Sequence, residues 1–488
     1  MTSAETATQT IFIAAALGFQ ARTLLRTSFF DALKASGHRL VLLVPNPDEA
    51  YMHEFAAENV ELAQLDTETC ERYFGASQTQ RWLRYLRMYT APKGTDSGTL
   101  DGRLDLFEKN YLSKRPAMAH LFPFAVRLMR RSALLRRLVR DLECALFAPD
   151  LHAALYERYK PSLLLVSSTG GNWKGDTFLV REARKRKVPV VCLVHSWDNP
   201  SSYGVEGARA DRYLAWADQM KQELNAYQEI PLSQIQVTGA PIFDVYHGID
   251  RESARRRLIS ELGLDPERKL IVYGTISPPD WHPYDLRVVE FLLEQIQRDT
   301  LKQPAQLLVR FHPRHYPKRA ADTEAYGKLQ AKYGNLFLDM PQVLSDRLPL
   351  DMPTRDLHHI AEIVTAADVI VNVWSTLNLE AALCDVPVIN LAFDPTPQEN
   401  SQKTALIEQR PDQMMRRPHI KRLIASRGVG VAVSWEDLLD QLNASLENPA
   451  LDHTGRRALA RQELGEYDAK AGIKSAAAVF ALSGGSAL

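Results

Sequence analysis

The sequence predicts an α/β protein made of two similar halves, and three observations carry that expectation. Short β-branched runs alternate with longer segments of helical period, the pattern of parallel sheets covered by helices. The runs fall into two series, separated by "GAPIFDVYHGIDRES", Gly239–Ser253, which reads as a linker into a fresh helix. The chain is 488 residues long, and at roughly 150 residues per domain it has room for two or three domains.

Taken in order, the first series of strands is "TIFIAAA", "RLVLLVP", "SLLLVSS", "PVVCLVH", "RYLAW" and "IQVTG". From about Thr67 to Asp150 no strand is evident, so this stretch reads as a helical insertion. It includes a polar Gly/Ser loop, "APKGTDSGTLDGR", followed by a basic helical stretch. The second series is "KLIVYGT", "AQLLVRF", "NLFLDM", "ADVIVNV" and "VPVINLAF".

Composition narrows the function classes. With 45% hydrophobic and 24% charged residues the chain is globular, and 59 basic residues balance 59 acidic ones. No overall field favours nucleic acid, so local clusters must supply any charge preference. Cys70, Cys144, Cys192 and Cys384 stand far apart without a CxxC spacing, which predicts neither a zinc site nor a disulfide framework. The polar N-terminus "MTSAETATQT" is unlike a signal peptide, and no run of about eighteen uncharged apolar residues occurs. Together these predict a cytoplasmic protein.

In α/β folds ligands bind beyond the carboxyl ends of parallel strands, so the residues following each run matter most. "LLVRFHPRHYP" sets Arg310, His312, Arg314 and His315 at one such end. "WSTLNLEAALCDVPVI" places Ser375 and Thr376 where a helix should begin, with Glu380 one turn on. Hydroxyls and backbone N–H groups at a helix start attract anions. With the basic cluster they predict a phosphorylated ligand, since arginine forks onto phosphate oxygens and histidine can donate to a leaving phosphate. Ser277, Asp280 and His282 follow a third run. In the first half "VVCLVHSWDNPSSYG" ends a strand with His195, Trp197 and Asp198, an imidazole and carboxylate suited to general-base work. "SSTGGNWKGD", Ser167–Asp176, brings glycines and Lys174 to another strand end.

The order "VHSWDNPSSYG", "ADRYLAWADQMKQEL", "IQVTGAPIFD", "VRFHPR" and "ADVIVNVWSTLNLEAALCDVPVINLAF" resembles glycosyltransferases of the GT-B fold that build bacterial surface polysaccharides such as capsule and O-antigen. In particular it is similar to proteins related to CDP-glycerol glycerophosphotransferases, from about Ser162 to Leu442. The resemblance implies two Rossmann-like domains facing a cleft. Residues 1–245 would be the acceptor domain with its insertion at 67–150, residues 246–455 the nucleotide-donor domain, and 456–488 a helix crossing back. It implies that His312 and Pro313 are the family's His-Pro motif, that Ser375 and Thr376 are its paired hydroxyls, and that Glu380 is its acidic position toward ribose or sugar. The chain departs from the glycerophosphotransferase pattern at His195, Ser196 and Trp197, where that pattern has Trp-His-Gly, and at Asn372–Trp374, which lack its aspartate. These departures favour a sugar donor.

The implied reaction moves a sugar from a nucleotide-sugar donor to a hydroxyl of a glycan or polyprenyl-diphosphate-linked acceptor. His195 or Asp198 would take the acceptor proton, while Ser277, Arg310, His312, Arg314, Ser375 and Thr376 hold the departing nucleotide, with no metal and no cofactor. A nucleotide-sugar epimerase, a CDP-glycerol-type transferase and a non-catalytic nucleotide-binding protein are the alternatives. Within the insertion, "RLMRRSALLRRLVRDLECALF", Arg127–Phe147, places Leu128, Leu135, Leu138, Val139, Leu142 and Leu146 at helical spacing, with Arg127, Arg130, Arg137 and Arg140 toward the other side. Its ordinary reading packs the leucines on the first domain. The alternative is peripheral membrane contact through 120–147, including "HLFPF".

Overall fold

The computed structural model describes residues 8–168, 174–276, 282–315, 320–394 and 410–483. Two compact units divide the chain: Met1–Asp244 with Leu344–Asp351 and Glu463–Leu488, and Val245–Val343 with Met352–Gln462. Among the described residues no helix is long and apolar enough to cross a membrane.

The first unit holds seven parallel strands: β1 (Thr10–Ala14), β2 (Arg39–Val44), β3 (Val60–Gln64), β4 (Leu163–Val166), β5 (Val190–Leu193), β6 (Arg212–Ala215) and β7 (Ile235–Val237). Their order is β3-β2-β1-β4-β5-β6-β7. Ile11 of β1 lies between Leu40 and Leu163 in register, and all three are fully buried. Strands covered on both faces need apolar side chains at every position, which is why they read as unbroken runs. The order reverses between β1 and β4, where such sheets open a crevice.

Helices α1 (Gly18–Leu25) and α2 (Ser28–Ala35) follow β1. Phe29, Phe30 and Leu33 share one core cluster with Ala476, Val479 and Phe480 of the helix Ala471–Ser483. The segment Leu344–Asp351 also belongs here, although the sequence places it in the second half. Its Asp351 accepts from Arg26 Nη2 at 3.0 Å, and both side chains are fully buried. Gly18 N–H donates to the Pro349 carbonyl at 2.9 Å. A Cβ on Gly18 would sit 2.1 Å from the backbone of Leu350 and Asp351, so the approach requires glycine.

Between β3 and β4 run α3 (Thr67–Ala76), α4 (Gln78–Met88), α5 (Gly98–Asn110), α6 (Pro116–Arg131), α7 (Ala133–Leu146) and α8 (Ala153–Tyr159). Asp66, Ser77 and Ser132 cap α3, α4 and α7 through their side chains. The expected Gly/Ser loop is helical from Gly98, because Leu104 and Phe107 join an aromatic cluster with Trp82, Tyr85, Tyr111 and Phe122. The basic stretch breaks at Ser132 into two helices. Its ordinary reading is corrected as well: Leu138, Leu142 and Leu146 are exposed, while Arg136 and Glu143 are buried. The unit is completed by α9 (Lys174–Lys185), α10 (Asn199–Ser202) and α11 (Asp218–Gln228).

The second unit begins with α12 (Arg251–Leu262), capped by Asp250 and closed by Gly263 at φ 75°. Its strands are β8 (Lys269–Gly274), β9 (Ala305–Arg310), β10 (Leu336–Asp339), β11 (Val369–Asn372), β12 (Val388–Leu391) and β13 (Gly430–Ala432). They pair in parallel in the order β10-β9-β8-β11-β12-β13, reversing between β8 and β11. Helices α13 (His282–Gln297), α14 (Ala320–Lys332), α15 (Thr354–Ala366) and α16 (Leu377–Leu383) connect them.

Candidate active site

In the second unit the candidate residues gather at the carboxyl ends of β9 and β11, on either side of β8. His312 follows β9. Its backbone N–H donates to Thr275 Oγ1 at 2.9 Å, tying it to the end of β8. Its Nδ1 lies 3.2 Å from the backbone N–H of Arg314 and must accept from it. The ring proton is therefore on Nε2, which makes His312 a hydrogen-bond donor. Arg314 is exposed beside it. Ser277 lies outside the described residues.

After β11 the backbone turns sharply at Trp374, whose φ is 49°, a left-handed conformation unusual for a bulky residue. Three buried asparagines hold it there. Asn390 Oδ1 accepts from Trp374 N–H at 3.1 Å, and Asn372 Oδ1 accepts from Ser375 N–H at 3.1 Å. Asn378 and Asn390 exchange side-chain hydrogen bonds at 3.0 and 2.7 Å. Trp374 Nε1 donates to the Pro411 carbonyl at 2.9 Å. Strain of this kind persists only where the surroundings over-determine it, and it concentrates at functional sites. Ser375 Oγ accepts from the N–H of Leu377, the first residue of α16, at 3.2 Å, so this hydroxyl is already engaged, while the N-cap Thr376 makes no side-chain cap. Thr376 is exposed, and Glu380 Oε2 accepts from Tyr246 OH at 2.6 Å.

Arg310 departs from expectation. Its side chain is 8% exposed and forms ion pairs with Asp339 at 2.6 Å and Asp356 at 2.7 Å. Burial works against its charge, but the two carboxylates outweigh that and hold it protonated. The guanidinium clamps β9, β10 and α15 together instead of reaching for a phosphate. Asp339 also accepts from His359 Nε2 at 3.0 Å, and that contact raises the imidazole above its ordinary range.

In the first unit His195 follows β5. Its Nδ1 is 2.9 Å from the Ser167 carbonyl, which can only accept, so Nδ1 carries the proton and Nε2 the lone pair. This is the tautomer opposite to that of His312. Burial lowers its pKa, opposed by the Ser167 carbonyl and the charge of Asp198. The Asn199 amide Nδ2 lies 3.5 Å from Nε2, a long contact that an acceptor hydroxyl would have to displace before the neutral imidazole could remove its proton. Asp198 accepts from the hydroxyls of Ser196 and Ser202, the second at 3.2 Å. The His195 ring is thus held by donation from Nδ1–H to the Ser167 carbonyl, with the Asn199 amide beside it, and not by Asp198.

Asp176, the last residue of "SSTGGNWKGD", carries a role that its place in the sequence does not announce. It sits in the first turn of α9, fully buried, at the point where the sheet order reverses. Oδ2 accepts from Gln20 Nε2 of α1, while Oδ1 has no hydrogen-bond partner among the described residues. Burial raises its pKa to about 7, only partly opposed by Gln20. An aspartate opening a helix directly after a glycine-rich strand end was the available signal. Cys70, His152 and Glu182 also form a chain, with Cys70 Sγ 3.7 Å from His152 Nε2 and His152 Nδ1 3.2 Å from Glu182. All three are buried, and burial pushes the thiol up to about 12, so it is an inert core thiol.

No known sequence family matches the chain, and no curated protein matches it in sequence. Solved structures do match. The S. aureus MnaA–UDP co-structure is similar over 97% of this chain and 96% of that one, with a TM-score of 0.54 and 12% identity. A putative UDP-N-acetylglucosamine 2-epimerase from Listeria monocytogenes matches over 98% and 97%, with a TM-score of 0.54 and 13% identity. The wall teichoic acid polymerase TagF, H548A, matches over 98% and 89%, with a TM-score of 0.50 and 10% identity.

The fold is of the GT-B type. Both GT-B sheets carry an unusual buried carboxyl in the first turn of a helix: Asp176 in α9 and Asp285 in α13, each raised to about 7 by burial. Asp285 Oδ1 accepts from Tyr273 OH at 2.6 Å and from Ile276 N–H at 3.1 Å. A folded-state pKa above the unfolded value means that the native protein binds extra protons between about pH 4 and 7. The stability these groups provide is full below that window and is lost as pH rises through it. Asp176→Asn should therefore match the wild type in urea midpoint only below about pH 4, and exceed it by a margin that grows from about pH 5 to pH 8. A difference that stays constant from pH 5 to pH 8 would show that the Asp176 pKa is not raised by folding.

Proposed function

We propose that the protein is a glycosyltransferase that moves a sugar from a nucleotide-sugar donor to a hydroxyl of a bacterial surface glycan or its polyprenyl-diphosphate-linked precursor, with no metal and no cofactor beyond the donor itself. The carrying observation is the second unit's strand ends, where the His312 Nε2 donor stands at β9 and the strained Trp374–Thr376 turn at β11. Donors preorganised by the backbone stabilise a departing diphosphate without rearranging during the reaction. His312 and Arg314 would meet its phosphates, Thr376 would face the same ligand, and Glu380 would orient ribose or sugar. His195 would take the acceptor proton, with Asp198 fixing the loop around it. Arg310 acts by holding β9 in place. An acceptor on a polyprenyl carrier implies work at the cytoplasmic face of a membrane.

A thermal-shift panel across UDP, GDP, CDP, CMP and dTDP tests the nucleotide part. Saturation at a hundredfold over Kd should add about 2.7 kcal/mol of stability. One diphosphate should raise Tm, and His312→Ala should shrink that shift; no shift with any nucleotide overturns the reading. A second reading, a nucleotide-sugar epimerase, is favoured by Asp176 and His195, two titratable groups in the segments that follow the neighbouring strands β4 and β5. Epimerised sugar formed without any acceptor would establish it.

A further inference from the structure

The hairpin α6–α7 is built with its apolar side outward. Leu121, Phe124 and Leu128 of α6 and Leu134, Leu138, Leu142 and Leu146 of α7 are 47% to 66% exposed. Their spacing gathers each set on one stripe of its helix. What α7 buries instead is charge. Arg136 forks onto Glu229 at 2.6 and 2.9 Å, and Glu143 receives Arg87 at 2.9 Å and Arg181 at 2.7 Å. An amphipathic helix on a soluble protein ordinarily turns its leucines inward. Here buried ion pairs, each destabilising if one partner were lost, hold it the other way.

The exposed charge around the stripe is mostly basic. Lys114, Arg115, Arg127, Arg131 and Arg137 are exposed on this hairpin, against Asp141 alone among the acidic residues from Ser113 to Leu146. Along the flank of α7 a cavity of about 580 Å³ is lined by five cations, Arg140, Arg181, Arg184, Lys185 and Arg209, and one carboxylate, Asp141, which pairs with Arg140 at 2.9 Å. Arg181 and Lys185 also pair with Glu143 and Asp150, so the net charge of the lining is positive but partly matched. Repulsion from Arg140 contributes to a lowered pKa at Arg209, after burial. Such a cavity is matched by an anionic group.

We propose that α6–α7 docks the protein on an anionic phospholipid bilayer. The leucines and Phe124 enter the acyl boundary, and the arginines and the cationic cavity take headgroup phosphates. Charge complementarity selects this occupant: two copies meeting through this face would oppose like-charged rims, whereas an anionic leaflet attracts them. The inference stands apart from the sugar-transfer reading, since it needs neither donor nor acceptor.

The test is flotation of the full chain with phosphatidylcholine vesicles, with and without one-quarter phosphatidylglycerol. Two variants accompany the wild type, a triple Leu134→Gln, Leu138→Gln, Leu142→Gln and a triple Arg127→Gln, Arg131→Gln, Arg137→Gln. All six side chains are exposed, so Tm should be unchanged. Arg130 and Arg136 stay in place because they pair with Asp101 and Glu229. The wild type should float with anionic vesicles and about tenfold less with neutral ones. Raising ionic strength from about 0.1 M to about 0.5 M should weaken it, and each variant should lose about tenfold. The proposal is overturned if the wild type floats with neither vesicle, or if wild type and variants float equally. It is also overturned if the wild type ignores vesicles but forms a dimer that the leucine variant abolishes.

Discussion

Replacing Arg310 with alanine is expected to lower the stability of the second unit by about 3–5 kcal/mol, the usual loss when a buried pair is left with an unmatched partner. Asp339 and Asp356 would remain buried without the cation now 2.6 and 2.7 Å away. Only Asp339 would keep a compensating group, His359 at 3.0 Å. A urea titration of wild type, Arg310→Ala and Arg310→Lys measures this. Lysine should recover only part of the loss, because a point charge cannot face two carboxylates as a fork does. If Arg310→Ala kept its urea midpoint yet lost nucleotide affinity, the guanidinium would belong to the phosphate site after all.

The second large effect is on rate. His195→Ala should reduce turnover by about 10²- to 10⁴-fold, the range associated with a lost general base. Nucleotide affinity should be unchanged, since the base serves the other substrate. The pH dependence carries a sign. Burial lowers the His195 pKa, so the acid limb of kcat/KM should fall below the ordinary imidazole value near 6.5. The variant should lose that limb. Unchanged turnover in His195→Ala would remove the residue from catalysis, and loss of folding would make it a core histidine tied to Ser167.

The central strands were legible in the sequence because a strand buried on both faces leaves an uninterrupted apolar run. β3, "VELAQ", was not: it is an edge strand with only Ala63 buried, so its pattern is polar. β13 escaped for the same reason, being three residues long at the other edge. His195 and His312 were visible as residues at strand ends, but their tautomers are set by the Ser167 carbonyl and the Arg314 amide, which only the folded loop brings near. Arg310 was misread because its partners lie 29 and 46 positions away. The leucines of α7 show the limit of periodicity, which locates an apolar stripe without saying which way it faces.

The order in which the two units claim the chain has a consequence for synthesis on the ribosome. The polypeptide passes between units at Asp244, Val343, Asp351 and Gln462. A nascent chain that has reached only Asp244 has made Arg26 but not Asp351, and Phe30 and Leu33 but not Val479 and Phe480. Its first sheet can pair, yet Arg26 has only Glu54 of its two anions, and one side of the core lacks its cover until the helix Ala471–Ser483 is made. Emergence in strict N-to-C succession, the default for multidomain chains, is therefore interrupted: the second unit has all its residues before the first unit is complete.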